Sequence, residues 1–392
     1  MRYNKLTNEG YIFVAILIFV IALLMFVMLV VVHELGHAIA ARRSGVEVEE
    51  FGIGFPPKAW GKKLKNGTLF TLNLLPLGGF VKLKGESDDA TGPGTYGGAP
   101  LRKKVKILMA GVAINWLTAV LIFTVLAAVG MPRLVDNQFT IAGDTKVLRQ
   151  ETMVEFVGEG SPAEKSGLKV GDKLESLAGE KITNPEQVTR LTRDNAGKNI
   201  PVTYIHDKKT QTTMVKLNAE NKDGKGFLGL STVSRSTQRS TWSAPVVGVG
   251  LTVQLTAMTF QGLGSSLGNL FAGLFQSVNP SGHVRSEGKE HLQTAGDNVA
   301  GPVGIFVILK QVSSDGFALM LYLIGVISLT LAVMNALPIP ALDGGRLFVT
   351  LLFRVRKKVL TKEREEQIHG YGFAVLLGLI ALITILDVKR FF

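Results

Sequence analysis

The chain has 392 residues, a formal net charge of +12, and hydrophobic residues make up 46% of it. Its mean hydropathy is positive, +0.28, as several membrane spans joined to a soluble portion would give. The absence of cysteine excludes disulfides and thiolate-ligated metals.

No charged or strongly polar side chain occurs from Tyr11 to Val32. At about 1.5 Å per residue this run spans roughly 33 Å, the thickness of bilayer hydrocarbon. It predicts a first span over about 11–40, too long for a signal-peptide core and retained in the mature chain. His33-Glu34-Leu35-Gly36-His37 follows with no turn signal. On a helix, positions i and i+4 share a face, so His33 and His37 can grip one metal while Glu34 flanks it. The alternative is a helix leaving the membrane with polar residues at its interface, a task Lys or Arg performs better. Ionisable groups at this depth are costly and mark function.

Gly52 to Pro57 reads as a turn. Thr68 to Leu83 reads as two apolar strands around the break Pro76-Leu77-Gly78-Gly79, a membrane-associated β-hairpin over about 68–85. Its edge either accepts an extended peptide or merely covers a cavity. Ser87 to Pro100 reads as a loop, and Ile107 to Met131 as the second span. Residues 1–131 thus form the first half of a membrane core.

Residues 132–235 have the size of a small soluble domain. Gly160 to Asp172 reads as a capped short helix between glycine turns, and Val202–Ile205 and Thr212–Leu217 alternate as antiparallel strands. This passage resembles a PDZ domain, in the permuted order in which the carboxylate loop comes last. The resemblance makes Phe227, Leu228, Gly229 and Leu230 the loop whose amides cap a peptide carboxylate. The domain either binds peptide C-termini or acts as a filter.

Residues 236–316 read as a membrane-surface and linker region. Ser243 to Val278 is apolar and uncharged, studded with Gly, Ser, Thr and Gln. It reads as a helix lying on the membrane or packed on the spans. The competing reading, a fifth span, would invert the later spans and carry their metal-binding segment to the wrong side. Asn279 to Asn298 is a polar linker, and Ile305 to Leu309 is too short to cross.

Phe317 to Leu337 is the third span and Gly370 to Leu386 a shorter fourth, within a second core segment, 317–392. Two histidines leave a hydrolytic zinc one protein ligand short. Asp343, the only acidic residue between Asp315 and Glu363, follows the third span and supplies it. Pro338 and Pro340 break the helix, and Gly344-Gly345 permits close backbone approach. The competing role for Asp343 is to cap the helix that starts near Gly344.

The positive charge does not point to nucleic acid. Residues 41–106 hold twelve Lys/Arg and 340–369 seven more. Both segments flank spans and fall on one side of four crossings, the cytoplasmic side by the positive-inside rule. The domain at 132–235 then faces outside.

The helix-borne HELGH, the later NALPIPALDGG, LPLGGFVKL between them and the inserted PDZ resemble the site-2 protease family of intramembrane zinc metalloproteases. The similarity is greatest to its bacterial regulator-of-sigma-E branch and covers nearly the whole chain. It implies one Zn²⁺ held by His33, His37 and Asp343, with Glu34 as general base. It also implies substrate contacts from Asn335, from the hairpin at Gly78, Gly79 and Phe80, and from Asn115 near the cavity. The expected fold is a polytopic α-helical membrane protein with about four transmembrane helices, the hairpin and one PDZ domain. The expected partners are the lipid bilayer and single-span membrane proteins, such as anti-sigma factors or remnant signal peptides, cut in a bacterial inner membrane. Three competing functions remain: a membrane-anchored PDZ scaffold with a degenerate zinc site, a metallopeptidase with a glutamate as third ligand, and a metal transporter.

Overall fold

The computed structural model describes residues 2–135, 137–206, 209–221, 226–277, 301, 303–305, 307–308 and 317–391. The linker expected over 279–298 lies outside them. Contacts divide the chain into two compact units, Met1–Thr124 with Gly248–Phe392, and Val125–Val247.

The first unit is built on long apolar helices: α1 (Arg2–Arg43), α2 (Leu101–Val129), α5 (Ala244–Ser277), α6 (Phe317–Ala336) and α8 (Lys362–Phe391), with the shorter α7 (Asp343–Val355) after α6. Among the described residues, five stretches are long and apolar enough to cross a membrane: Leu24–Arg43, Leu101–Val129, Ala244–Gly273, Phe317–Ala336 and Lys362–Lys389. The third was not among the four expected.

Helix directions follow from close contacts. α1 and α2 pack closely where Gly36 meets the Ala110 carbonyl, and they run antiparallel, since His33 meets Asn115 while His37, one turn on, meets the Ile107 carbonyl. α5 begins beside the end of α2, where Gly248 meets Thr124. It then descends along α2, with Trp116 Nε1 donating to Thr256 Oγ1 at 3.2 Å. α6 descends the same way: Tyr322 packs on Phe123, ring centroids 5.2 Å apart, and Ser328 Oγ donates to the Asn115 carbonyl at 2.9 Å. This overturns the expectation that an extra span would carry the second metal-binding segment to the wrong side. α5 and α6 both run opposite to α2, so the end of α6 stays level with the end of α1.

A second correction concerns the hairpin. The stretch 68–85 does not close on itself. It forms β2 (Leu69–Leu83), which pairs with β1 (Val48–Lys63). Glu50 to Ile53 of β1 lies between the two halves of β2, with Gly52 facing both Phe80 and Thr71 and Ile53 facing both Gly79 and Leu72. Gly52 to Pro57 is therefore strand, not turn. Gly52 is required because the Phe80 ring occupies the space of its β-carbon, 2.4 Å away. Phe55, Trp60, Leu72, Leu74 and Leu75 project from this sheet, all exposed.

The second unit holds a seven-stranded antiparallel sheet ordered β3 (Met131–Arg133), β9 (Leu230–Arg239), β4 (Lys146–Val157), β5 (Lys173–Leu177), β7 (Asn199–His206) and β8 (Lys209–Lys216), with β6 (Glu180–Lys181) beside β5. Two short helices close its core, α3 (Pro162–Lys165) and α4 (Pro185–Asp194). Ser161 Oγ caps α3 through the Glu164 amide and Asn184 Oδ1 caps α4 through the Gln187 amide. The core packs Val154, Leu168, Leu174, Leu177, Val202 and Val215. With helix, strands and loop in this order, the unit is the permuted PDZ arrangement. It is wider than 132–235 because both ends are tied in. The Ala127 carbonyl accepts from the Ser240 amide at 2.7 Å, and the Asp144 carboxylate accepts from the amides of Thr241 and Ser243 at 2.7 and 3.1 Å. Hydrogen bonds from Ser243 and Thr241 hold the Asp144 carboxyl well below the usual range.

Candidate metal centre

His33 and His37 sit one turn apart on α1, each 8% exposed, on the face against α2. The His37 ring is oriented from behind: Nδ1–H donates to the Ile107 carbonyl at 2.8 Å. A carbonyl only accepts, so the proton is on Nδ1 and Nε2 offers its lone pair forward. The two Nε2 atoms are 3.1 Å apart. Asp343, first residue of α7, brings Oδ2 to 3.1 Å from both. Oδ2 nonetheless forms no well-aligned hydrogen bond.

Three donor atoms in a triangle of 3.1 Å sides suit a cation better than one another. A tetrahedral centre with bonds of about 2.0–2.1 Å needs ligand separations of about 3.3–3.4 Å. Two neutral imidazoles and a carboxylate are also a donor set that zinc accepts. Among the described residues, this trio clusters its ligand atoms closely enough to hold an ion.

Local sequence explains how α7 delivers Asp343. α6 ends at Ala336, and the chain reverses so tightly that β-carbons at Gly344 and Gly345 would lie 2.3 Å from the Ala336 carbonyl oxygen and 1.9 Å from that of Ile339. One turn into α7, Arg346 anchors the helix. Its Nη1 donates to Glu86 Oε1 at 2.8 Å and its Nε to Glu365 Oε1 of α8 at 3.1 Å, while Nη2 reaches the Glu86 carbonyl. The guanidinium lies 4.9 Å from the centroid of Tyr96, a fully buried ring whose phenol burial pushes up. The segment read as a loop, 87–100, is thus tied to the ligand helix: the Asp88 amide donates to Glu365 and the Lys104 ammonium pairs with Asp88. Removing Arg346 would take the cationic partner from the buried Glu365 carboxylate, which is unfavourable.

Glu34 lies beside the trio under β2. A β-carbon at Gly79 would come within 3.4 Å of Glu34 Cγ and 3.1 Å of the Gly52 carbonyl oxygen. Gly78 takes a left-handed φ of 84° beside the Phe55 ring, and Phe80 lies over Gly52. Asn335, near the end of α6, turns its amide back onto the Leu331 carbonyl at 3.0 Å and does not reach the trio in this structure. Asn115, expected near the cavity, is 0% exposed and lies behind His33, its Nδ2 3.4 Å from His33 Nδ1. Sequence reasoning missed Gly111, whose signal is the i, i+4 spacing with Asn115 that mirrors His33 and His37. It also missed the Ile107 carbonyl, which as a backbone group leaves no signal.

In the second unit, Phe227 to Leu230 folds tightly over α3. The Leu228 carbonyl accepts from the Ala163 amide at 3.0 Å, and the Gly229 carbonyl from the Gly158 amide at 2.8 Å. Gly229 has φ +75°, and a β-carbon there would lie 2.4 Å from Ser161 Cβ.

The sequence model of peptidase family M50 matches residues 21–379. The regulator of sigma-W protease RasP of Bacillus subtilis is 25% identical over 452 residues, covering 94% of this chain and 98% of its own. The zinc metalloprotease RasP of Geobacillus kaustophilus is 26% identical over 444 residues, covering 93% and 96%. A Clostridium perfringens protein named as a putative zinc metalloprotease is 30% identical over 372 residues, covering 94% and 98%. Among solved structures, the PDZ domain of an SdrC-like protein from Listeria monocytogenes aligns with 22% of this chain and 93% of its own, at 24% identity and a TM-score of 0.21. The chain therefore belongs to peptidase family M50, the site-2 proteases, and is a multi-pass membrane zinc metalloprotease.

Proposed function

We propose that this protein cuts single-span membrane proteins within or near their transmembrane segments, using one zinc ion held by His33, His37 and Asp343. The observation that carries this reading is the triangle of donor atoms with 3.1 Å sides, assembled from the last turns of the long apolar α1 and the start of α7. Zinc there would supply Lewis acidity, drawing a water's pKa toward neutrality and polarising the scissile carbonyl. Glu34 acts as general base, taking the water's proton and passing it to the leaving amine.

A substrate helix cannot be cut while its backbone is tied in i to i−4 bonds, so it must unwind locally. The outer edge of Gly79–Lys82 supports strand addition as the replacement for those lost bonds. That segment pairs with β1 on one side only, and Gly79 packs on Glu34. Gly78, Gly79 and Phe80 then guide the peptide past the base. Asn335 contacts substrate once its amide leaves the Leu331 carbonyl. Val in place of Gly79 is expected to slow cleavage by about tenfold or more, because its branches would meet Glu34 and the Gly52 carbonyl, with zinc content unchanged. Unaltered turnover would remove the strand from the mechanism.

The second unit serves as the extracytoplasmic PDZ module. The carbonyls of Leu228 and Gly229 are turned inward, so across each planar peptide the amides of Gly229 and Leu230 face outward. Outward amides suit a C-terminal carboxylate. Beyond them, β9 pairs with β3 only over Ser236–Gln238, which leaves Leu230–Arg235 an open edge for a peptide. Lys/Arg concentrated in 41–106 and 340–369 supports a metal centre near the cytoplasmic face of a bacterial inner membrane. Anti-sigma factors and remnant signal peptides are the substrate classes.

The test is reconstitution of the full chain in liposomes with a single-span protein, with the cut mapped by mass spectrometry. Phenanthroline is expected to lower cleavage about 100-fold or more, and added zinc to restore it. Chelator-resistant cleavage, or cuts confined to extramembrane loops, would overturn the reading.

A further inference from the structure

We propose that Asn115 is the positioning residue for His33: its amide oxygen accepts the His33 Nδ1–H and so aims Nε2, lone pair forward, at the metal. This deepens the metal reading above and rests on it.

His37 shows what a ligand imidazole needs, an acceptor behind Nδ1, and has it in the Ile107 carbonyl at 2.8 Å. Metal-binding histidines are generally held this way, by an acceptor on the far ring nitrogen. Among the described residues, no backbone carbonyl does this for His33. The group behind its Nδ1 is the Asn115 amide, with Nδ2 at 3.4 Å. Asn115 is 0% exposed, and its Oδ1 is buried with no hydrogen-bond partner among the described residues. Its backbone is also fixed, since the carbonyl accepts from Ser328 of α6 at 2.9 Å.

The two orientations of the amide, related by a half-turn, fill nearly the same space but have opposite chemical consequences. With Nδ2 toward the ring, Nδ1 must be the acceptor and the proton sits on Nε2. That proton would point into the triangle formed with His37 and Asp343, where a cation is to be held. With Oδ1 toward the ring, Nδ1 carries the proton, both ligand histidines share one tautomer, and Oδ1 gains a donor. Only the second orientation is compatible with a metal centre. Asn115 also stands one turn from Gly111, so a single face of α2 both admits the imidazoles and orients one of them.

The experiment uses the full chain in detergent and compares the wild type with Asn115→Leu, which keeps the volume but has no acceptor, and Asn115→Asp, which keeps the acceptor. Zinc affinity is read by competition with a chromophoric chelator, and ligand geometry by the visible spectrum of the cobalt-substituted protein. Asn115→Leu is expected to weaken zinc binding by about 10- to 100-fold and to shift the cobalt bands, whereas Asn115→Asp stays within about threefold of the wild type. If the leucine variant does not fold, Asn115→Ala carries the same expectation. A wild type that holds zinc together with unaffected Leu or Ala variants would overturn this proposal alone. So would an Asp variant as weak as the Leu variant, which would mark a purely structural role. A wild type that holds no zinc would remove the metal reading and this proposal with it.

Discussion

Glutamine in place of Glu34 is expected to leave zinc content unchanged and lower peptide hydrolysis by about 10²- to 10⁴-fold, the range a general base contributes. The side chain sits on α1 between the two ligand histidines, under Gly79 of β2. Gln keeps its length, its packing against Gly79 and its place on the helix, and loses only the capacity to accept a proton. His33→Ala is the contrasting change, since it removes a ligand and should lose metal and activity together. Zinc by atomic emission and cleavage in liposomes, measured on the same preparations, separate the two. A Glu34→Gln protein that cleaves at the wild-type rate would take the base role from this residue.

The trio His33, His37 and Asp343, which the structure brings together, was legible in the sequence because each member rests on a local rule. Helical spacing puts His33 and His37 on one face whatever surrounds them. Asp343 stood out as a lone acid after a Pro-broken helix with two glycines behind it, and the structure shows those glycines pressed on the carbonyls of Ala336 and Ile339. What was not legible depended on partners distant in sequence. Gly52 to Pro57 has turn composition, yet it is strand because Phe80 needs the space at Gly52 and Phe51 stacks on Phe70 at 6.1 Å. The direction of α5 could not be read either. It is set by Gly248 against Thr124 and Trp116 on Thr256, contacts between small or neutral residues that carry no charge pattern. The ion cluster around Arg346 joins Glu86 and Glu365, and no spacing rule connects residues so far apart. The contact of Asn115 with His33 was not legible either, because it depends on how α2 packs on α1.

Alanine at Gly111 is expected to empty the metal centre, weakening zinc binding by about 100-fold or more through displaced ligands. The added β-carbon would lie 2.3 Å from His37 Nε2, 2.6 Å from His33 Cε1 and 2.7 Å from His33 Nε2. Real β-carbons do not approach so closely, so either the imidazoles swing away or α2 withdraws. Withdrawal is resisted by the close contact at Gly36 and by Ile107, whose carbonyl would leave His37 Nδ1 as the helix moved. Both responses break the 3.1 Å triangle. Helix propensity works in the opposite direction, since Gly→Ala within a helix favours the helix by about 1 kcal/mol. Loss of zinc from a variant whose metal-free form melts no lower than the wild type's would therefore be steric in origin. Gly378→Ala is the matched control, a helical glycine of α8 with nothing within 4 Å of its added carbon, and should bind zinc as the wild type does. A Gly111→Ala protein with full zinc occupancy and wild-type affinity would mean that the histidines meet their metal on another side of α1, away from α2.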